Sequence, residues 1–476
     1  MTTKRRWLLV GLIVLLAAVL RLVFLQQFRC SDFYDCPVLD MRTYLEQAQA
    51  MARDGWHGLG VVWRPPLYPA LLSLSLRFAN NSLLPALLVQ ALLASVSAGL
   101  VYLIARRFVA EGISQAAAAL YAINWMAIYF SAPLEGTSLF IFLLLLSLWL
   151  LMAAEGRRAW LLVPAGLAVG LSALVRTEVL PVVLVWALWM ACRRRVAHAL
   201  LVLAFAGITI LPVAVHNYRM CGQFIPVTAI GGYNFFVGNN AQADGKTVWA
   251  SAAALKALAV PVDLPPLENQ SRYLKAAFGD IRKDPARFAG LLAKKAYYLI
   301  NAHEIASNTD VYCVIAETSP MLAVLALLSF GILLPFAVVG VMFGNYDRRA
   351  AVPVFLFIIP FALVLLAFFV NARFRAPMIP FCCVFAALGA AAIWRERNNL
   401  LAGGRTLLLT LVLFLVLCNT RFFGVADPRD NLELYLHHAV AFHGRQRTES
   451  CRNMLVRVLD VDPQSKPAIY LWRQLP

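Results

Sequence analysis

Apolar runs of roughly 17 to 24 residues recur along this chain between short polar breaks, and no other feature limits the fold as strongly. Each run has the length an α-helix needs to cross about 30 Å of hydrocarbon. Only helices and closed barrels satisfy their backbone groups in that medium. A barrel would alternate apolar and polar side chains over about ten positions, and stretches such as Leu139 to Ala154 do not. The composition agrees: 61% of residues are hydrophobic and 14% charged, where a soluble chain carries nearly twice that charge. The reading is an all-α polytopic membrane protein with about eleven transmembrane helices and a mixed extracytoplasmic loop region. The expected spans are 7–25, 83–105, 113–131, 134–153, 159–175, 178–192, 196–216, 320–343, 350–370, 376–393 and 404–422.

A formal charge of +17 would suit a nucleic-acid partner if it gathered on one soluble face, but the basic residues sit between the apolar runs. Lys4 to Arg6, Arg106 with Arg107, Arg157 with Arg158, Arg193 to Arg195, Arg348 with Arg349, and Arg395, Arg397 and Arg405 all fall on one side if every run crosses once. The positive-inside rule makes that side, and the N-terminus, cytoplasmic, so the expected partner is the lipid bilayer of an inner-membrane-type protein and not a nucleic acid. The first run is expected to stay as an anchor, because Gln26, Gln27 and Phe28 offer no small-residue cleavage site. Three pieces are then outside: the loops 26–82 and 217–319 within a membrane domain 1–423, and a tail 424–476.

Of nine cysteines, Cys30, Cys36, Cys221, Cys313 and Cys451 face outward on this topology. In an oxidising compartment Cys30 with Cys36, and Cys221 with Cys313, are candidate disulfides. No Cys/His spacing reads as a zinc site, and no GxxxxGK phosphate loop points to a nucleotide.

The polar residues that carry chemistry lie at the outer ends of spans. Asp40 begins a stretch, 40–54, in which Leu39, Tyr44, Ala48 and Met51 share one helical face. Asp40 reads either as an N-cap or as a functional carboxylate. Pro65, Pro66 and Pro69 interrupt the helix, and place Arg64 and Tyr68 near the membrane surface, where Trp63 and Tyr68 also suit an aromatic belt. Glu135 and Arg176 interrupt apolar surroundings; Glu135 either lines a wet cavity or belongs to a structural ion pair, and Arg176 either supplies that pair or snorkels to the interface. Arg373 and Arg375 stand with one residue between them on the side where arginine is least expected, and guanidinium forks suit phosphate, with lipid headgroup anchoring as the plainer reading. Gly231 to Gly245 reads as turn, short strand, turn, presenting Asn234 and Asn239 to a polar ligand such as a sugar. The rest of that loop reads as helical, with amphipathic stretches at Arg272 to Phe278 and Arg287 to Leu299.

Together these segments resemble the GT-C fold glycosyltransferases that use lipid-phosphate-linked sugars, in particular bacterial relatives of the protein O-mannosyltransferases and of the aminoarabinose transferase that modifies lipid A. The resemblance rests on Asp40 to Tyr44, Gly55, Pro65 to Pro69, Glu135, Gly231 to Gly245, and Arg373-Phe374-Arg375 with Pro377 and Pro380, in that order and all on the outer side. It implies transfer of a hexosyl or pentosyl group from a polyprenyl-phosphate carrier such as undecaprenyl phosphate to a glycan, lipid or protein acceptor. Asp40 would activate the acceptor with Glu135 beside it, while Arg373, Arg375 and Arg64 would hold the phosphate. Tyr44, Tyr68, Arg176, Asn234 and Asn239 would orient the substrates. Some members place a divalent metal beside the first-loop acid; here Met41 stands where a second acid often follows, which weighs against tight metal binding. A transporter or flippase of a lipid-linked or anionic substrate is the alternative, but it would place charges at mid-span and show internal repeats, neither of which is evident.

Overall fold

The computed structural model describes residues 2–154, 158–258, 265–398 and 404–475; Arg157 of the charge pattern lies outside these. Among the described residues every element is helical. Five helices among the described residues are long and apolar enough to cross a membrane: Thr3–Arg29, Leu84–Ala105, Val196–Cys221, Arg348–Ala367 and Ala372–Glu396. Arg405–Asn419 with Phe422–Gly444 forms a pair bent by 56° that passes the same test together. The expected spans at 134–153, 159–175 and 178–192 are shorter apolar helices, Thr137–Ala153, Ala159–Val175 and Val179–Cys192.

Two expected spans are broken. The run 113–131 stops at Ile123 and restarts as Trp125–Tyr129, because Asn124 turns its side chain to accept from the Ala127 amide at 3.1 Å and so caps a new helix. The carbonyl left at the break is covered by Arg21, a buried arginine of the first helix that donates to Ala122 O at 3.0 Å. A cation at a helix C-terminus is favourably placed. The run 320–343 divides into Pro320–Leu325 and Phe330–Phe343.

Small residues set the helix spacing. Without a hydrophobic driving force between helices in lipid, close backbone approach supplies the contact. Gly340 and Gly389 face each other across Phe330–Phe343 and Ile379–Glu396, where an added Cβ would overlap the facing carbonyls of Phe385 and Phe336. Leu8, Leu15 and Leu413 remain exposed on the outer surface of the bundle, as a lipid-facing wall requires.

The described residues of the segments 26–82, 217–319 and 424–475 meet one another. Arg447 of the tail pairs with Asp32 and Asp35 at 3.2 and 3.0 Å. Tyr435 and Asn431 donate to Asp310 at 2.5 and 3.1 Å. Asn217 accepts from the Val62 amide at 2.8 Å. The expected strand in Gly231 to Gly245 is instead a helix, Gly231–Asn239. Its glycines serve packing: a Cβ on Gly232 would meet the Gln270 backbone, and one on Gly238 the Phe368 carbonyl. Only Gly245, at φ +87°, uses the left-handed freedom a turn requires. The amphipathic helices expected further along appear as Pro266–Lys283 and Pro285–Ile300.

All nine cysteines are free. Cys30 is exposed at the end of the first helix while Cys36 is buried in the core. Cys221 turns back on its own helix, its thiol donating to Asn217 O at 3.2 Å, and buried Cys313 is directed to Glu317. Neither expected disulfide is formed, because within each pair the two side chains are committed to different surroundings.

Candidate functional site

Asp40 sits in the first turn of the helix Leu39–Asp54, with Val38 in the cap position, so its carboxylate does not cap the helix. Leu39 holds φ +50°, a left-handed conformation that costs a branched residue on the order of 1–3 kcal/mol and that clusters at functional sites. Both carboxylate oxygens of Asp40 are taken by arginines from distant segments. Arg64 Nη2 lies 2.7 Å from Oδ1, and Arg373 Nη1 lies 2.7 Å from Oδ2. Burial alone would push the Asp40 carboxyl up; the two guanidinium groups, Arg373 first, more than reverse this and hold it below the usual carboxylate range.

Arg373 belongs to a four-residue helix, Ala372–Arg375, capped by Asn371, whose Oδ1 accepts from Phe374 N at 3.0 Å. The approach to it is tied down by the large loop: Val370 N donates to Gly245 O and Ala372 N to Ile305 O, each at 2.9 Å. Arg176 completes the clamp. Its Nη1 donates to Arg373 O at 3.0 Å, its Nε and Nη2 donate to Glu178 Oε1 at 3.2 and 2.9 Å, and its guanidinium lies 5.1 and 4.3 Å from the Phe140 and Phe374 ring centres.

These residues wall a cavity of about 240 Å³. Asp40, Arg64, Arg176, Glu178 and Arg373 form its charged side, and Tyr44, Thr137, Tyr233 and Asn234 add polar groups. Pro181, Val364, Leu365 and Phe368 make an apolar flank drawn from two of the apolar helices and the residue that follows one of them. A polar head pocket with a greasy wall fits a ligand that is part lipid and part polar.

Several expected site residues lie elsewhere. Arg375 is buried, paired with Glu304 at 2.7 Å, directed at the carbonyls of Leu299, Asn301 and His303, and stacked 4.0 Å from the Phe330 ring centre. It does not reach the cavity, because residues two apart on a helix face away from each other. Asn239 is also outside: its Nδ2 donates to Phe235 O and Ala367 O, and its Oδ1 accepts from buried Lys295 at 2.9 Å. Burial lowers that ammonium to about 7. Tyr68 is buried with its hydroxyl unpartnered, edge-on to Tyr44 at 5.4 Å. Glu135 lies directly behind the wall residues Gly136 and Thr137; Asn308 donates to its Oε1 at 2.7 Å and its Oε2 has no partner.

Glu178 is a site residue that the sequence reading does not pick out, since it opens the expected span 178–192. An acid next to Arg176 at the mouth of an apolar helix nonetheless carries the same signal as Glu135. A divalent ion needs several oxygen ligands, and among the described residues no three His, Cys, Asp or Glu side chains converge. Asp40, the first-loop acid, has both oxygens on arginine.

Known proteins share both the fold and a stretch of the sequence. Residues 63–218, which hold Arg64, Glu135, Arg176 and Glu178, match the family model described as dolichyl-phosphate-mannose-protein mannosyltransferase. A search of the curated proteins returned no match. Among solved structures, the Archaeoglobus fulgidus oligosaccharyltransferase in complex with Zn and sulfate aligns with a TM-score of 0.50 at 16% identity, over 90% of this chain and 55% of its own. The same enzyme tethered to an acceptor peptide aligns with a TM-score of 0.51 at 14% identity, over 94% and 59%. This chain therefore spans a little over half the length of that archaeal enzyme. ArnT from Cupriavidus metallidurans aligns at 15% identity over 92% of this chain and 81% of its own, with a TM-score of 0.37. The archaeal alignments cover nearly the whole chain, and the protein has the fold of the GT-C glycosyltransferases.

Proposed function

We propose that this protein is a membrane glycosyltransferase that moves a sugar from a polyprenyl-phosphate carrier to an acceptor hydroxyl, with inversion, at the extracytoplasmic face. The observation that carries the reading is Asp40 clamped between Arg64 and Arg373 on the wall of a cavity whose other flank is apolar helix. The likeness to the GT-C fold and the mannosyltransferase match across 63–218 support it.

A polyprenyl phosphate is a good leaving group, so the reaction asks for charge stabilisation and one base more than for a general acid. The donor's phosphate takes the guanidinium forks of Arg64 and Arg373, which are bidentate partners for such an anion. Their transfer to phosphate releases Asp40, whose carboxylate regains basicity as the cations leave it. Asp40 then accepts the acceptor's hydroxyl proton, the acceptor oxygen bonds to the anomeric carbon from the opposite face, and the carbon–phosphate-oxygen bond breaks. The polyprenyl phosphate departs onto Arg64 and Arg373. Arg176 keeps Arg373 in register through its carbonyl, and Glu135 with Asn308 braces the wall at Gly136 and Thr137.

The test is release of free undecaprenyl phosphate from a panel of undecaprenyl-phosphate monosaccharides by purified protein supplied with glycan, lipid and peptide acceptors. Release by the wild type and its loss in Asp40→Asn and Arg373→Ala are expected. Full activity in Asp40→Asn, or no release from any donor, would overturn the reading.

A further inference from the structure

We infer that Glu178 is a sugar-reading residue: it accepts a hydrogen bond from a hydroxyl of the transferred group and sets a preference for neutral sugars over sugars bearing an ammonium. The inference rests on the function proposed above and adds to it the chemistry of the donor's head.

Glu178 lines the cavity and keeps part of its side chain open, at 17% exposure. Both bonds from Arg176 converge on Oε1, and Oε2 receives no hydrogen bond from the described residues. Arg176 has all three of its nitrogens occupied, by Glu178 and by the carbonyl of Arg373, and its guanidinium lies against two aromatic rings. It is therefore a fixed post and not a free cation. One end of that post fixes Arg373, the phosphate-holding residue, and the other fixes Glu178. A ligand whose phosphate sits on Arg373 thus finds a carboxylate oxygen at a rigidly determined offset, which is how one group reads another's position.

The charge balance selects the kind of hydroxyl bearer. The cavity wall carries three arginines, Arg64, Arg176 and Arg373, against two acids, Asp40 and Glu178. That excess of one positive charge is cancelled by a phosphodiester's single negative charge, leaving nothing to stabilise a second cation on the sugar. Glu178 is itself neutralised by Arg176, so an ammonium at Oε2 would gain a carboxylate and meet a guanidinium at the same distance range. A hydroxyl meets no such penalty.

The experiment is equilibrium binding to the full-length purified protein in detergent, comparing undecaprenyl phosphate with undecaprenyl-phosphate donors of glucose, mannose, galactose and 4-amino-4-deoxyarabinose, and with mono-deoxy versions of the tightest binder. Wild type is expected to hold at least one neutral sugar donor about tenfold or more tighter than the bare carrier, as a hydrogen bond to a charged group provides. Glu178→Gln, which keeps an oxygen for Arg176 but offers an amide in place of Oε2, should erase that gap. One deoxy donor should reproduce the loss in wild type and show no further loss in Glu178→Gln.

Three results would overturn the inference while the proposed function stood: an undiminished gap in Glu178→Gln, equal weakening of bare carrier and donors, or a wild-type preference for the ammonium sugar over every neutral one. A wild type that binds the carrier but no neutral donor more tightly would overturn it too. Failure of wild type to bind undecaprenyl phosphate at all would instead remove the proposed function beneath it.

Discussion

Arg373 and Arg375 are two residues apart in one short helix, yet they inhabit different worlds. Arg373 faces the cavity and shares Asp40 with Arg64, so the carboxylate has two guanidinium partners and a side open to the cavity. Arg375 faces the interior, where Glu304 is its acidic partner and backbone carbonyls absorb its remaining donors. The electrostatics differ accordingly. Two cations hold the Asp40 carboxyl below its usual range, whereas burial outweighs Arg375 and pushes the Glu304 carboxyl above it. A buried pair of the second kind contributes little net stability but is costly to break, while the first kind, on the proposed function, is taken apart by the donor's phosphate.

The contrast can be broken most decisively at Asp40. Replacing it with Asn should lower the rate of carrier release by roughly 10²–10⁴-fold with little loss of thermal stability, read by turnover and by unfolding in detergent. If Asp40 were only a structural partner, stability would fall and turnover would follow it. At Arg375 the order should invert: Arg375→Met leaves Glu304 buried without a cation and should cost about 3–5 kcal/mol of stability. Arg375→Met combined with Glu304→Leu should recover most of that loss in the same unfolding assay, whereas a second-site repair at Glu304 should do nothing for Arg373→Met. Arg64→Lys keeps charge but loses the fork, and should weaken carrier binding about tenfold in a titration, with the Asp40-dependent rate otherwise preserved.

The smallest effect is a matter of sign. Asp40 has a depressed folded-state pKa, so its contribution is present above the unfolded value, near pH 4, and is lost as pH falls through the lower folded value. Glu304, with a raised folded-state pKa, works the other way, and its contribution declines as pH climbs above about 4. Unfolding curves between about pH 3 and 7 should therefore flatten on the acid side for Asp40→Asn and on the neutral side for Glu304→Gln, each change being small beside the loss expected in Arg375→Met.

Much of this is legible in the sequence, for identifiable reasons. Span length marks Thr3–Arg29, Leu84–Ala105 and Val196–Cys221, since hydrophobic run length is a one-dimensional property. Asp40, Arg64 and Arg373 stand out because charged groups beside apolar spans are expensive. The separate fates of Arg373 and Arg375 depend on helical phase in a segment only four residues long, too short for any periodic pattern to reveal. The helix Gly231–Asn239 is masked because glycine signals a turn and a tight contact alike; only the Gln270 and Phe368 backbones across the gap distinguish them. The break at Asn124 has a local signal, an N-capping residue inside an apolar run, but the partner of the freed carbonyl, Arg21, lies 101 residues before Ala122.

The clamp on Asp40 also has a timetable. Asp40 and Arg373 are separated by 333 residues, and at a synthesis rate of about 5–20 residues per second the acid precedes its partner by roughly 15 to 70 seconds. During that interval the first loop is already made, and its aspartate has Arg64 within the same loop but not Arg373. The segment that fastens the same loop through Arg447 is made later still. Biogenesis thus withholds the second arginine of the clamp until most of the helices are made, and on the proposed function a nascent chain that has not reached Arg373 cannot yet hold the donor's phosphate between two guanidinium groups.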